Sequence, residues 1–322
     1  MNNVNEVPID IDEMRKWALG FIEERVPPMT RTEFSRQSGI PLGTLGPWLD
    51  ARYKGRSDLI ARKMMLFRQQ VEASKAHDES LPVNPGYFET ETSARIEKLL
   101  AMAHTGRITV GGTGPGTGKT ATVTEYREKA SHVIIATMTP SSRSLVQMIR
   151  AVLSALDYEV RRIAASDGSR EIVKRLSGRR ALLVIDEANH LSLDAIDEIR
   201  GWHDETECGI CLLGNEELIR EIRAGKNKTQ LARLNSRIAW SMEQDVPTDE
   251  DVRIFCDHWR ITDFAIRKYL RDIATTKDSG GLREARQLVE IASFFASQDE
   301  RGLTLDDLRE VQSQRASRWI KA

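Results

Sequence analysis

The sequence predicts an α/β fold preceded by an all-α module. Three observations carry this: short apolar runs alternate with helical stretches through the middle of the chain, the first part has helical periodicity throughout, and a polar stretch with two prolines divides them. The module is placed at residues 1–72, the linker at 73–88, the α/β domain at 89–245 and a helical domain at 246–322.

In the first module, DEMRKWALGFIEER sets Met14, Trp17, Ala18, Phe21 and Ile22 at helical spacing until Pro27 and Pro28 stop the run. Thr30 with Glu33 reads as a capping box, Gly39 supplies a turn, and Ile40, Leu45 and Leu49 are expected to close a small core with Phe34. Ser35, Gly39 and Leu45 stand where helix-turn-helix modules need a small residue, a turn glycine and a buried aliphatic. Against that, Gly43, Gly46 and Pro47 are poor residues for a recognition helix. The cluster Arg31, Arg36, Arg52, Lys54 and Arg56 favours DNA contact over a small helical interaction domain.

The α/β domain is read from RITV (107–110), HVIIATM (132–138), ALLVI (181–185), GICLL (209–213) and RIAWSM (237–242). Helical segments between consecutive strands imply crossover connections, hence a five-stranded parallel sheet covered by helices.

Composition narrows the function classes. At 40% apolar and 30% charged residues the chain is globular, and 47 basic residues against 48 acidic ones mean that attraction to phosphate must come from local clusters. No apolar run is long enough to cross a bilayer and the start, MNNVNEVPIDIDE, lacks a secretory pattern, so a cytoplasmic protein with no membrane partner is expected. Cys208 and Cys211 form a C-x-x-C without a second pair, and are read as structural residues of a buried strand.

The strongest chemical signal is TGPGTGKT, directly after the first strand. A glycine-rich turn lets backbone N–H groups approach phosphates, and the helix that follows points its positive end at them. Gly114, Pro115, Gly116, Thr117, Gly118 and Ala121 would cradle the nucleotide, Lys119 would reach the outer phosphates and Thr120 would ligate magnesium. One departure from G-x-x-x-x-G-K-[ST] is Thr113 at the first position. The second signal is LLVIDEANHL: Asp186 would hold the magnesium shell and Glu187 would activate water. Asn215, at the end of GICLLGN, is placed to orient that water, and Arg283, early in a late helix, to reach back to the nucleotide. His190, just beyond the carboxylates, is read as structural. ATP and Mg2+ are the expected cofactors.

The series TGPGTGKT, LLVIDEANHL, LLGN, ARLNSRIA and GLREA resembles the Walker A, Walker B, sensor one, arginine-finger and sensor two motifs of AAA+ ATPases. With the helix-turn-helix block ending in ARYKG, YFETET and LARLNSRIAW, nearly the whole chain resembles the phage transposition protein family. The resemblance implies an AAA+ P-loop domain with a C-terminal helical lid. It also implies a site completed by a neighbour's arginine, best matched by Arg237 with Arg233 second, and a homo-oligomeric ring or head-to-tail filament on duplex DNA that works with a transposase. DNA phosphates would meet Arg161, Arg162, Arg170, Lys174 and Arg175, in the basic stretch EVRRIAASDGSREIVKRLSGRR. A helicase loader, a nucleotide-switched DNA-binding regulator and a protein-remodelling motor are the rival functions.

Overall fold

The computed structural model describes residues 9–24, 28–80, 85–159, 163–224 and 228–317. The chain divides into two compact units, Met1–Leu81 and Pro82–Ala322.

The first unit contains α1 (Ile11–Glu23), α2 (Arg31–Ser38), α3 (Leu42–Leu49) and α4 (Ser57–Ser80). The expected capping box forms, Thr30 Oγ1 accepting from Glu33 N while Glu33 Oε2 accepts from Thr30 N. Gly39 ends α2 at φ +66°, and Phe34, Ile40, Leu45 and Leu49 are buried together with Trp48, Met14, Ala18 and Phe21. Thus α2, the turn and α3 make the helix-turn-helix arrangement. Helix α3 forms despite Gly43, Gly46 and Pro47 because Leu45, Trp48 and Leu49 are almost wholly buried. Burying three such side chains is worth roughly 1.5–3 kcal/mol each, enough to offset a proline and two glycines. Helix α4 continues to Ser80, so residues 73–80 of the expected linker are helical. Their sequence, ASKAHDES, contains no proline or glycine to stop a helix, and the first proline comes at Pro82.

The second unit holds five parallel strands: β1 (Ile108–Thr113), β2 (Val133–Thr137), β3 (Leu182–Asp186), β4 (Gly209–Gly214) and β5 (Ile238–Gln244), in the order β2-β3-β4-β1-β5. All five apolar runs become strands. Successive residues of β3 point to opposite faces and both faces are covered: Leu183 and Ile185 pack on one side, Leu182 and Val184 on the other. That is why the run is apolar without alternation. Helices α5 (Glu91–His104), α6 (Lys119–Lys129), α7 (Leu145–Ala155), α8 (Ala165–Leu176), α9 (Leu193–Thr206), α10 (Glu216–Ala224) and α11 (Lys228–Asn235) accompany the sheet. Cys208 and Cys211 are buried free thiols, and burial pushes Cys211 up to about 12, so it stays protonated.

Four further helices, α12 (Asp249–His258), α13 (Phe264–Ala274), α14 (Leu282–Gln298) and α15 (Leu305–Ser317), form a separate core around Phe255, Leu270, Leu288 and Leu308. Asp251 joins them to the sheet domain. Fully buried, its carboxylate accepts from Thr92 N at 2.9 Å and Thr248 N at 2.9 Å and also pairs with the Thr92 hydroxyl, which satisfies the buried charge. Among the described residues no helix is long and apolar enough to cross a membrane.

Candidate active site

The carboxyl edge of the sheet carries the predicted motifs. Because β4 lies between β3 and β1, Asn215 at its end stands between Asp186 and the glycine loop that leaves β1. That loop tolerates no side chain at its tightest points. A Cβ on Gly114 would meet Asp245 O at 1.7 Å, and one on Gly116, which also has φ +68°, would meet Gly280 O at 1.9 Å. Gly118 opens α6 at φ +90°, and no side chain caps that helix, so its first N–H groups are free to face an anion. Thr113 fits at the departed position because its φ is not left-handed and its hydroxyl pairs with Thr117 Oγ1 at 2.8 Å.

Lys119 Nζ donates to Thr113 O at 2.7 Å and Gly114 O at 3.1 Å, the carbonyls of its own loop. Burial lowers its pKa, Glu187 and Asp186 pull it up, and Arg283 lowers it again. Thr120 Oγ1 donates to Asp186 Oδ2 at 2.9 Å. A hydroxyl and a buried carboxylate converging on one point at the start of a phosphate-type loop are hard oxygen donors of the kind Mg2+ takes, with phosphates and water filling the remaining positions. The residues therefore fit a magnesium nucleotide.

Asp186 Oδ1 accepts from Glu187 N at 3.0 Å. Glu187 itself sits at φ 56°, ψ 38°, a left-handed conformation costly for a residue with a side chain, and it lines the cleft. Asn215 also lines it, yet its amide is engaged with Glu217, Oδ1 accepting from Glu217 N at 3.1 Å and Nδ2 donating to Glu217 Oε2 at 3.3 Å.

The helical domain closes the cleft. Leu282 N donates to Gly116 O at 3.1 Å, and a Cβ on Gly281 would meet Pro115 O at 2.5 Å, so the pair Gly280 and Gly281 lets the start of α14 rest on the loop. Arg283 is thereby brought to the cleft, whose volume is about 570 Å3. Sequence reasoning missed its other end. Tyr87, Phe88, Phe255, Trp259 and Arg286 line it too. Tyr87 and Phe88 lie in the segment expected to be linker, and Phe88 stacks on His258 at 4.6 Å. Two adjacent aromatics in an otherwise polar stretch were the available signal.

Three sets of predicted residues lie outside the cleft. Arg237 precedes β5 and so stands at the opposite, amino edge of the sheet, and Arg233 is exposed one helical turn earlier. Of the basic stretch, Arg161 and Arg162 lie outside the described residues. Arg170 and Lys174 are exposed on α8, whereas Arg175 is half-buried, bonded to Glu171 at 2.7 Å and stacked over the Tyr158 ring. In the first unit Arg31 and Arg52 both pair with Asp50, and Arg56 with Asp58.

Two blocks of the sequence match known families, an AAA domain over residues 104–222 and a Mu B transposition protein C-terminal domain over residues 236–314. The chain carries an AAA+ ATPase domain followed by a Mu B transposition protein C-terminal domain. The AAA+ block spans the glycine loop, both carboxylates and Asn215, and the Mu B-type block supplies Arg237 and Arg283. The chain is similar to the ATP-dependent target DNA activator B of Escherichia phage Mu, 27% identical over 88% of this chain and 89% of that protein. It is also similar to the Mu-like prophage FluMu DNA transposition protein B of Haemophilus influenzae, 28% identical over 79% of this chain and 88% of that one. Among solved structures, a Walker-type ATPase of Pyrococcus abyssi aligns with a TM-score of 0.49 at 12% identity, over 71% of this chain and 72% of that one.

Proposed function

We propose that the protein is an ATP-dependent, largely sequence-indifferent DNA-binding ATPase that assembles head to tail on duplex DNA and presents it to a transposase. The observation that carries this is the continuous likeness, over 88% of the chain, to an ATP-dependent target DNA activator. Lys119 and the first N–H groups of α6 would hold the phosphates, Thr120 and Asp186 a magnesium ion, and Arg283 the nucleotide from the lid side. Glu187 would take the proton of the attacking water, with Asn215 orienting it. Bound Mg2+ would supply neutralisation of phosphate charge.

Geometry supports a site shared between copies. Strand β5 is seven residues long, and at roughly 3.3 Å per residue Arg237 stands about 20 Å from its own glycine loop. An arginine side chain cannot span that distance, so an arginine acting from this position serves another copy. The γ-phosphate then belongs to the interface, and ATP favours assembly by the contact it makes only in the assembled state. Each added copy brings its own basic residues, Lys174 on α8 foremost and Arg170 once it leaves Asp167, to which it donates at 2.6 Å, so weak phosphate contacts combine into tight binding. Arg161, Arg162 and Arg175 complete the set, Arg175 only if it leaves Glu171. With Arg31, Arg52 and Arg56 tied to carboxylates, the helix-turn-helix unit contributes less charge to DNA than its composition suggests.

Electron microscopy with duplex DNA tests the reading: filaments are expected with ATP and none with ADP. A footprint confined to one operator would point instead to a nucleotide-switched regulator. Absence of ATP-dependent retention on DNA, at a concentration where the chain hydrolyses ATP, would overturn the proposal. Glu187→Gln is expected to keep ATP affinity while slowing hydrolysis by roughly 10²–10⁴-fold, since an amide of equal size accepts no proton. Filaments should persist longer in it, and unchanged turnover would remove Glu187 from the proton-accepting role.

A further inference from the structure

The guanidinium of Arg237 is held, and held asymmetrically. Nε donates to Asp204 Oδ1 at 2.5 Å, and Nη1 to Ser236 Oγ at 3.2 Å and Arg233 O at 3.4 Å. Nη2 has no acceptor among the described residues. A free carboxylate would normally close side-on over Nε and Nη2 together. Here Asp204 Oδ2 accepts from Arg200 instead, which is itself fixed by Asp197 at 2.7 Å and largely buried. The arrangement joins the last turn of α9 to the segment between α11 and β5, residues distant in sequence and brought together by packing of α9 on α11.

We propose that Asp204 is the positioning residue of the arginine each copy lends its neighbour. By taking Nε alone, it sets the guanidinium plane and leaves Nη2 outward to meet an anionic oxygen of the neighbour's nucleotide. This rests on the reading of Arg237 as the donated arginine. A preset donor loses less freedom when it engages, and a shift of about an ångström at a group that contacts the reacting phosphate lowers turnover strongly.

Two variants and a mixing design test it. Asp204→Ala in the whole population is expected to leave ATP affinity at dilution unchanged while lowering kcat at saturating ATP on the order of ten- to a hundredfold. Asp204→Asn, whose side-chain oxygen can still accept from Nε but whose NH2 loses the bond from Arg200, should recover part of the loss. In mixtures, a copy carrying Lys119→Ala can only donate Arg237, and a copy carrying Arg237→Ala can only receive it. Adding Asp204→Ala to the donating copy should lower the activity of the mixture by the same order, about ten- to a hundredfold, and adding it to the receiving copy should not. A general loss of fold would act equally from either side and would overturn the positioning role, as would Asp204→Ala turnover at or above wild type. If Arg237→Ala alone hydrolyses normally, it is the underlying reading of Arg237 that fails.

Discussion

Lys119→Ala is expected to lower ATP affinity at least about a hundredfold and to remove nucleotide-dependent retention on DNA with it. The ammonium lies between Thr113 O and Gly114 O, inside the turn that the phosphates would enter. Burial lowers its pKa, the carboxylates of Glu187 and Asp186 oppose that, and the ammonium offsets their charge in a site that would otherwise be net acidic. Without it, phosphate oxygens would face Asp186 and Glu187 with only backbone N–H groups and Arg283 in compensation. A fluorescent ATP analogue titrated into the variant gives the answer directly. Wild-type affinity would refute the assignment of the glycine loop as the phosphate site, whatever happened to DNA binding.

Arg237→Ala should show a different pattern, with ATP binding by the dilute protein intact while hydrolysis falls on the order of 10³–10⁵-fold and filament growth is lost. The separation follows from position: the residue is at the amino edge of the sheet, so its removal leaves the copy's own cleft untouched. Mixing it with Lys119→Ala should restore part of the hydrolysis, because at mixed boundaries an intact arginine meets an intact glycine loop. Hydrolysis equal to wild type, measured where the wild type assembles, would exclude the shared site. Arg233→Ala measured in parallel discriminates the second candidate.

How much of this can be read from sequence depends on whether the determinants are local. The inner strands β1, β3 and β4 are legible because burial on both faces demands runs without charged interruption, whereas the edge strands β2 and β5 are partly exposed, and the loop from Thr113 to Thr120 is legible because phosphate binding fixes residue types at consecutive positions. Helix α3 is misjudged by propensity alone, since the burial of Trp48 and Leu49 that overrides Pro47 is a tertiary event. The aromatic end of the cleft is assembled from residues 87–88 and 255–259, which no spacing rule connects. The same holds for Asp204, whose neighbour Arg237 comes from the far side of a strand and two helices. Gly280 and Gly281 are visible as a motif, but only the structure shows why: Gly280 sits at φ +96°, and a Cβ on Gly281, itself at φ +64°, would meet Pro115 O at 2.5 Å.

The contact between Leu282 N and Gly116 O is a main-chain bond, and its surroundings leave no room for a Cβ on either side. The helical domain is therefore latched to the floor of the cleft. Lifting it as a body, about the buried Asp251 that ties α12 to the sheet domain, would break that bond and widen the cleft. If that motion gates release, the lifetime of the ADP-bound state is expected to follow the strength of this pivot as well as the phosphate contacts.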